Sequence, residues 1–384
     1  MSLLSHRKRV IDILTIAALA ASIAALIAFP SESTAAAKEG LLLCYNVIIP
    51  SLFPFFVLSS MVVETGAARY LGIICESFMR PLFNVGGNCA AAFGLGFIGG
   101  YPVGAKTVIT LYESGACTRA EAERLLSFCN NSGPAFIFGV VGAGVFGSSK
   151  IALLLYLAHT VSSVLVGICF RRWGAKTEAQ SAPPPQLYKS APLPEAFAHS
   201  VSSSFTSTLG ICGFVIFFTV FIKLLFISGA IPALSAGLGA LLSPLGLTPQ
   251  WAERLLTGLI EISSGVWTLR GAAGTITGSV AMAAFMLGWA GLSVHSQVLS
   301  FIGTSGLSVK TYILGKLAQA AISAGLIFLL ARFIPMSLPA VALAQNLTGY
   351  AGITFGRAIA ISGVGAAAIC ALFAFLAWRI EQKS

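Results

Sequence analysis

The sequence predicts an all-α polytopic membrane protein of two inverted-topology repeats, each with a re-entrant helical hairpin and a broken transmembrane helix. Three observations carry that prediction. The 384 residues are 57% hydrophobic and only 9% charged, where soluble domains are roughly a quarter charged. Several uncharged apolar segments reach the ~20 residues that a helix needs to cross the hydrocarbon layer. None of them alternates in the manner of membrane-barrel strands. The third observation is internal: Ser148-Ser149-Lys150 followed by LLLYLAH recurs as Ser308-Val309-Lys310 followed by ILGKLAQ, 160 positions later.

Taken in order, MSLLSHRKRV and the apolar run to Phe29 have the outline of a secretory signal, with Ala35-Ala36-Ala37 as a cleavage site. The uncharged stretch from Ile13 to Phe29 exceeds a usual signal core, so it reads as an uncleaved first span, 10–29. Seven further crossings are expected at 39–64, 121–146, 150–171, 200–227, 275–304, 309–333 and 357–379. Two hairpins are expected at 87–115, turning at GGYPVG, and at 252–273, turning near SSG. Ala67 to Arg80 and Pro232 to Leu245 read as amphipathic interfacial segments.

These elements divide the chain into an N-terminal helix (1–34), a first repeat (35–173), a Pro-rich linker (174–195), a second repeat (196–334) and a C-terminal segment (335–384). Each half holds three crossings, so the second must insert upside down, a pattern common in secondary transporters. Basic clusters at Arg7-Lys8-Arg9 and Arg171-Arg172 place the linker and both termini in the cytoplasm. The net charge of +10 is scattered or sits beside apolar segments, which points to topology rather than nucleic acid. The eight cysteines form no CxxC pair and read as small buried hydrophobes. No metal-ligand spacing, nucleophile–base pair or phosphate-binding loop is present, so neither an enzyme nor a bound cofactor is expected.

Chemistry concentrates where the apolar pattern fails. In FCNNSGPAFIFGVVG, Asn130, Asn131, Ser132, Gly133 and Pro134 interrupt a span. Non-helical backbone survives at that depth only where protein or a polar cavity surrounds it. A half-helix beginning near Pro134 would aim its amide groups and positive dipole end at the gap. In GFIGGYPVGAKTVIT, Gly99, Gly100, Pro102 and Gly104 permit a tight turn, Tyr101 adds a ring with a hydroxyl, and Lys106 follows the tip. Lys106 either meets an anion there or snorkels to the cytoplasmic surface.

In the second half the same offset sets residues 259–264 against GGYPVG, and Ala290 and Gly291 against Asn130 and Asn131. Glu261, Ser263 and Ser264 lie at the second hairpin's turn. Glu261 is open to carrying a coupling ion or to bridging Arg254 or Arg270. Trp289, Ser293, His295, Ser296 and Gln297 cluster at the second break, where a histidine can titrate near neutral pH or be a satisfied core residue. His159, alone on an apolar helix, receives no role.

GFIGGYPVGAK and FCNNSGPAFIFGVVG resemble the YlbJ/SpoVV sporulation integral membrane proteins of endospore-forming bacteria, over about residues 35–335 and more loosely in the second half. Those proteins carry a gate, or nucleoside-recognition, domain that is also met distantly in concentrative nucleoside transporters. The resemblance implies a transporter-like fold and a role in moving dipicolinate, a dianionic pyridine dicarboxylate, across the outer forespore membrane. Related nucleoside transporters surround ribose and base with carboxylates and amides, whereas Tyr101 and Lys106 on this first hairpin suit an anion. The expected partners are therefore a small aromatic anion and the bilayer, with the coupling ion and homo-oligomerisation left open. A nucleoside substrate is the alternative within transport, and a non-transporting structural role in spore formation is the alternative outside it.

Overall fold

The computed structural model describes residues 2–174 and 191–336. The predicted crossing at 357–379 and residues 175–190 of the linker lie outside the described residues. Helix α1 (Ser2–Ala28) meets α2 (Pro30–Leu43) at a 98° bend. Through a π-helical turn at Cys44–Ile48, α2 runs on into α3 (Ile49–Glu64). The helix therefore begins near residue 30, not 39 as hydropathy suggested. Pro30 occupies the first helical turn, where its missing amide costs nothing, and the Ala-rich segment behind it favours helix despite its polarity. Hydropathy marks the oily part of a helix, not where the helix starts.

Next, α4 (Ala67–Phe83) turns by 94° through the short 3₁₀ segment Gly87–Cys89 into α5 (Ala90–Gly99). With α6 (Val103–Glu113), α5 forms the first hairpin. Helix α7 (Arg119–Phe128) unwinds after its last turn and resumes as a π-helical segment, Ala135–Val145, before α8 (Ser149–Phe170). The second half repeats the order: α9 (Leu193–Ile227), the short α10 (Ala230–Leu241), a hairpin of α11 (Pro249–Ile260) and α12 (Ile262–Trp267), a broken pair of α13 (Ile276–Trp289) and α14 (Gly291–Ser305), and α15 (Val309–Ala331).

Helix starts follow local chemistry. The Thr118 hydroxyl accepts the Glu121 amide at 3.2 Å while the Glu121 carboxylate accepts the Thr118 amide at 2.8 Å, a reciprocal cap that begins α7. Ser148, Thr248 and Thr275 cap α8, α11 and α13 in the simpler way.

Four described helical stretches (149–170, 193–227, 276–305 and 309–331) are long and apolar enough to cross a membrane, or six if each bent pair counts as one span. Aromatic packing anchors the first half: Phe83 and Phe128 stack at 4.6 Å, with Phe93 against both. α15 lies along α13 and crosses both α8 and the end of α7. That crossing sets the polar chemistry of the second half against the first break.

Candidate functional site

The first hairpin reverses at Gly100, whose φ of +78° suits glycine. A Cβ there would lie 2.8 Å from the Gly133 amide nitrogen, so the hairpin tip and the break meet backbone to backbone. Below the tip, Gly96 and Gly104 both face the Cys129 carbonyl; a Cβ on either would lie 1.9 Å from that oxygen. The glycine spacing of GLGFIGGYPVG thus lets α5 and α6 clasp the unwound end of α7. Tyr101 extends beyond the tip and donates its hydroxyl to the Leu287 carbonyl, crossing into the second half.

The second hairpin breaks at Glu261, which is extended (φ −144°, ψ 122°) between α11 and α12. Its carboxylate accepts the amides of Ser263 at 2.9 Å and Ser264 at 2.7 Å. The carboxylate therefore caps α12 at a favourable helix N-terminus. Among the described residues neither arginine pairs with it. Arg254 donates to the Thr268 carbonyl at 3.1 Å and lies over Trp251, and Arg270 lies over Trp267. Opposite, Ala290 and Gly291 adopt φ of +79° and +84° to divide α13 from α14. Trp289 donates to the Leu259 carbonyl at 3.2 Å and packs edge-on against His295 at 4.4 Å.

Between the two hairpin-and-break pairs lies a cavity of about 140 Å³. Gly100, Tyr101, Ser132 and Gly133 line it from the first half, and Glu261, Ser263, Ser293 and Gln297 from the second. Pro102, Gly104, Asn130, Asn131, Ser264, Trp289 and His295 are not in its wall. Asn130 and Asn131 are fully buried behind it: the Asn131 amide donates to Phe128 at 2.8 Å, while the Asn130 side-chain oxygen has no partner among the described residues. The backbone amide of Ser132, two residues before the half-helix start at Pro134, is donated to Nε2 of His159 at 3.0 Å.

Lys106 departs from the expectation. It lies on a separate, smaller pocket with Phe56, Ser60 and Glu64. Its ammonium donates to Ser207 at 2.7 Å, reaches Ser203 at 3.4 Å, and sits 5.5 Å from the centre of the Phe56 ring. The cause is helical direction: Tyr101 belongs to the turn, but Lys106 is a full turn into α6, on the face toward α9. Lys106→Ala should therefore lower any uptake only a few-fold, about 1 kcal/mol for lost neutral partners. Uptake at matched membrane expression is the check.

The lysine at the break is Lys316, on α15 and wholly buried. Its ammonium donates to the Asn130 carbonyl at 2.9 Å, to Oε1 of Gln319 at 2.7 Å and to the Tyr101 hydroxyl at 3.3 Å, and it lies 5.0 Å from the centre of the Tyr101 ring. Among the described residues no carboxylate is within ion-pair distance of it. Gln319 continues the network, donating to the Asn131 side-chain oxygen at 2.8 Å and to the His159 carbonyl at 3.3 Å. Tyr312 joins His295 at 2.9 Å and Asn130 at 3.5 Å. Sequence reasoning passed over Lys316, Gln319, Tyr312 and His159. The signal was present: ILGKLAQ sets a lysine inside an otherwise apolar span, which by itself marks a functional candidate.

Apolar spans packed around two hairpin-and-break pairs, with a largely apolar cavity between them that carries a few polar groups, define an integral membrane protein with a central site. Residues 46–175, which hold the first hairpin and break, match the Gate family, described as nucleoside recognition. The sporulation integral membrane protein YlbJ of Bacillus subtilis (strain 168) is 32% identical over 324 residues, covering 80% of this chain and 79% of that protein. The chain belongs to the YlbJ family of sporulation integral membrane proteins. A solved structure of a CNTnw double variant in an outward-facing state aligns over 83% of this chain and 87% of its own, at 14% identity and a TM-score of 0.43. That likeness is below the level that fixes a shared fold.

Proposed function

We propose that the protein is a membrane transporter of a small aromatic anion, with dipicolinate, carried across the outer forespore membrane, as its substrate. The observation that carries this reading is Lys316: a fully buried ammonium without a carboxylate partner among the described residues, one hydrogen bond from a cavity-lining tyrosine. A buried charge is expensive unless something compensates it, and an anion in the cavity would do so. Tyr101, on the cavity wall, offers an aromatic ring a stacking face.

Alternating access between two inverted repeats is the corresponding mechanism. Its support is that His159 and Gln319, equivalent positions 160 residues apart, touch each other. Equivalent residues meet where a two-fold relation passes. In this reading the domain boundaries are those of the sequence, with linker and termini cytoplasmic.

A nucleoside is the second reading, favoured by the carboxylate of Glu261 and the amide of Gln297 on the same wall and by the Gate match. Uptake of labelled dipicolinate and labelled uridine into vesicles carrying the purified protein separates the two. Dipicolinate uptake above empty vesicles is the expected result. Uridine uptake alone would transfer the site to nucleosides, and uptake of neither would favour a structural role in spore formation.

A further inference from the structure

The Lys316 ammonium has three N–H donors, and all three are committed to oxygens: the Asn130 carbonyl, Oε1 of Gln319 and the Tyr101 hydroxyl. None is left for a substrate in this conformation. What those oxygens have in common is their setting. Asn130 lies two residues past the end of α7, where the unwound chain leaves its carbonyls unpaired and the helix dipole is negative. Tyr101 comes from the opposing hairpin tip, and Gln319 from a third element, α15. In broken-helix transporters, unwound carbonyls and half-helix C-terminal ends are where a coupling monovalent cation is held. A carbonyl, an amide oxygen and a hydroxyl make a neutral, hard-oxygen set suited to such an ion.

We infer that Lys316 is a tethered cation occupying a monovalent-ion site, so that the native protein needs no sodium at this break. The neighbourhood fits this assignment. At the same break, the side-chain oxygens of Asn130 and Ser132 lack partners among the described residues. A second positive charge beside the first would be unfavourable, since among the described residues no acid pairs with the lysine. The ammonium also ties together three elements that must separate if the site is to open: hairpin tip, break and α15. This inference deepens the transport reading and rests on it only for the consequence that uptake is sodium-independent.

Melting of the full-length protein in detergent tests the assignment without any substrate. The wild type should melt at the same temperature in NaCl, KCl and choline chloride at matched ionic strength. Lys316→Ala removes the tethered cation and leaves its oxygens, so its midpoint should climb with added NaCl or KCl, by about 2–4 °C or more at saturation, but not with choline. Lys316→Met fills the space with an uncharged chain and should respond to none of the salts. Should Lys316→Ala be too unstable in detergent, the yield of monodisperse protein extracted in NaCl rather than choline chloride reports the same preference. A wild type stabilised by sodium over choline overturns the inference, as does a Lys316→Ala variant whose melting and yield ignore the cation. A correct melting pattern with no uptake of any substrate would leave the cation site standing and remove only the transport reading.

Discussion

Lys316→Met should cut dipicolinate uptake into vesicles by at least roughly 30-fold at subsaturating substrate, and by about 1,000-fold if both carboxylates are ionised in the site. The ammonium does not touch the cavity directly; it acts through Tyr101, whose hydroxyl it holds. For an anion about 7 Å away, at an effective dielectric of about 20, one unit charge contributes roughly 2 kcal/mol, and a dianion about twice that. A factor of ten in affinity is about 1.4 kcal/mol, which sets the two fold-changes. Methionine preserves length and apolar packing, so the charge is the main quantity removed. The Asn130 carbonyl loses its donor at the same time, a further cost of about 1–3 kcal/mol borne by stability. Uptake should therefore be scored per folded protein. If Lys316→Met and the wild type take up dipicolinate equally, the buried lysine is structural and the anion reading loses its main support.

Gly104→Ala should abolish assembly of the folded protein, while Gly94→Ala on the same hairpin should be neutral or slightly stabilising. A Cβ at Gly104 would lie 1.9 Å from the Cys129 carbonyl, a backbone atom that no rotamer change can move. Relief would require the hairpin to withdraw from the break, exposing Gly100 and Gly133 and opening the cavity wall. Overpacking of tight sites usually costs about 1–3 kcal/mol, and a backbone clash this deep falls at or beyond that range. Gly94 has nothing within 4 Å of its virtual Cβ, and alanine favours helix over glycine by about 1 kcal/mol. Size-exclusion profiles and melting of the two variants check the pair. A Gly104→Ala protein that elutes and melts like the wild type would mean that hairpin and break do not clasp as described.

The sequence was a sound guide to elements and a poor guide to partners. Long apolar stretches announced α8, α9 and α15, and the Asn-Asn-Ser-Gly-Pro run announced the first break, because apolarity and helix-breaking chemistry are local properties. The repeated order of elements followed from one short similarity at an offset of 160 residues. Lys106 shows where that guidance ended: lying near the tip in sequence placed it, in space, against Ser207 of α9. Glu261 was rightly marked as a turn residue, yet its partners are the two amides just beyond it, not Arg254 or Arg270.

By itself, then, the sequence determined that this is a helical membrane protein with paired hairpins and paired breaks, because composition and hydropathy act over a few turns of chain. Which charge stands at the break was decided only by the tertiary structure. Lys316 lies 186 positions from Asn130 and 215 from Tyr101. It reaches them because α15 crosses the end of α7, and a helix crossing is set by the packing of whole surfaces rather than by any motif. The same packing turned His159 from an isolated residue into the acceptor of the Ser132 amide. A buried polar group must find a partner wherever the fold brings one, and distance along the chain has no bearing on where that is.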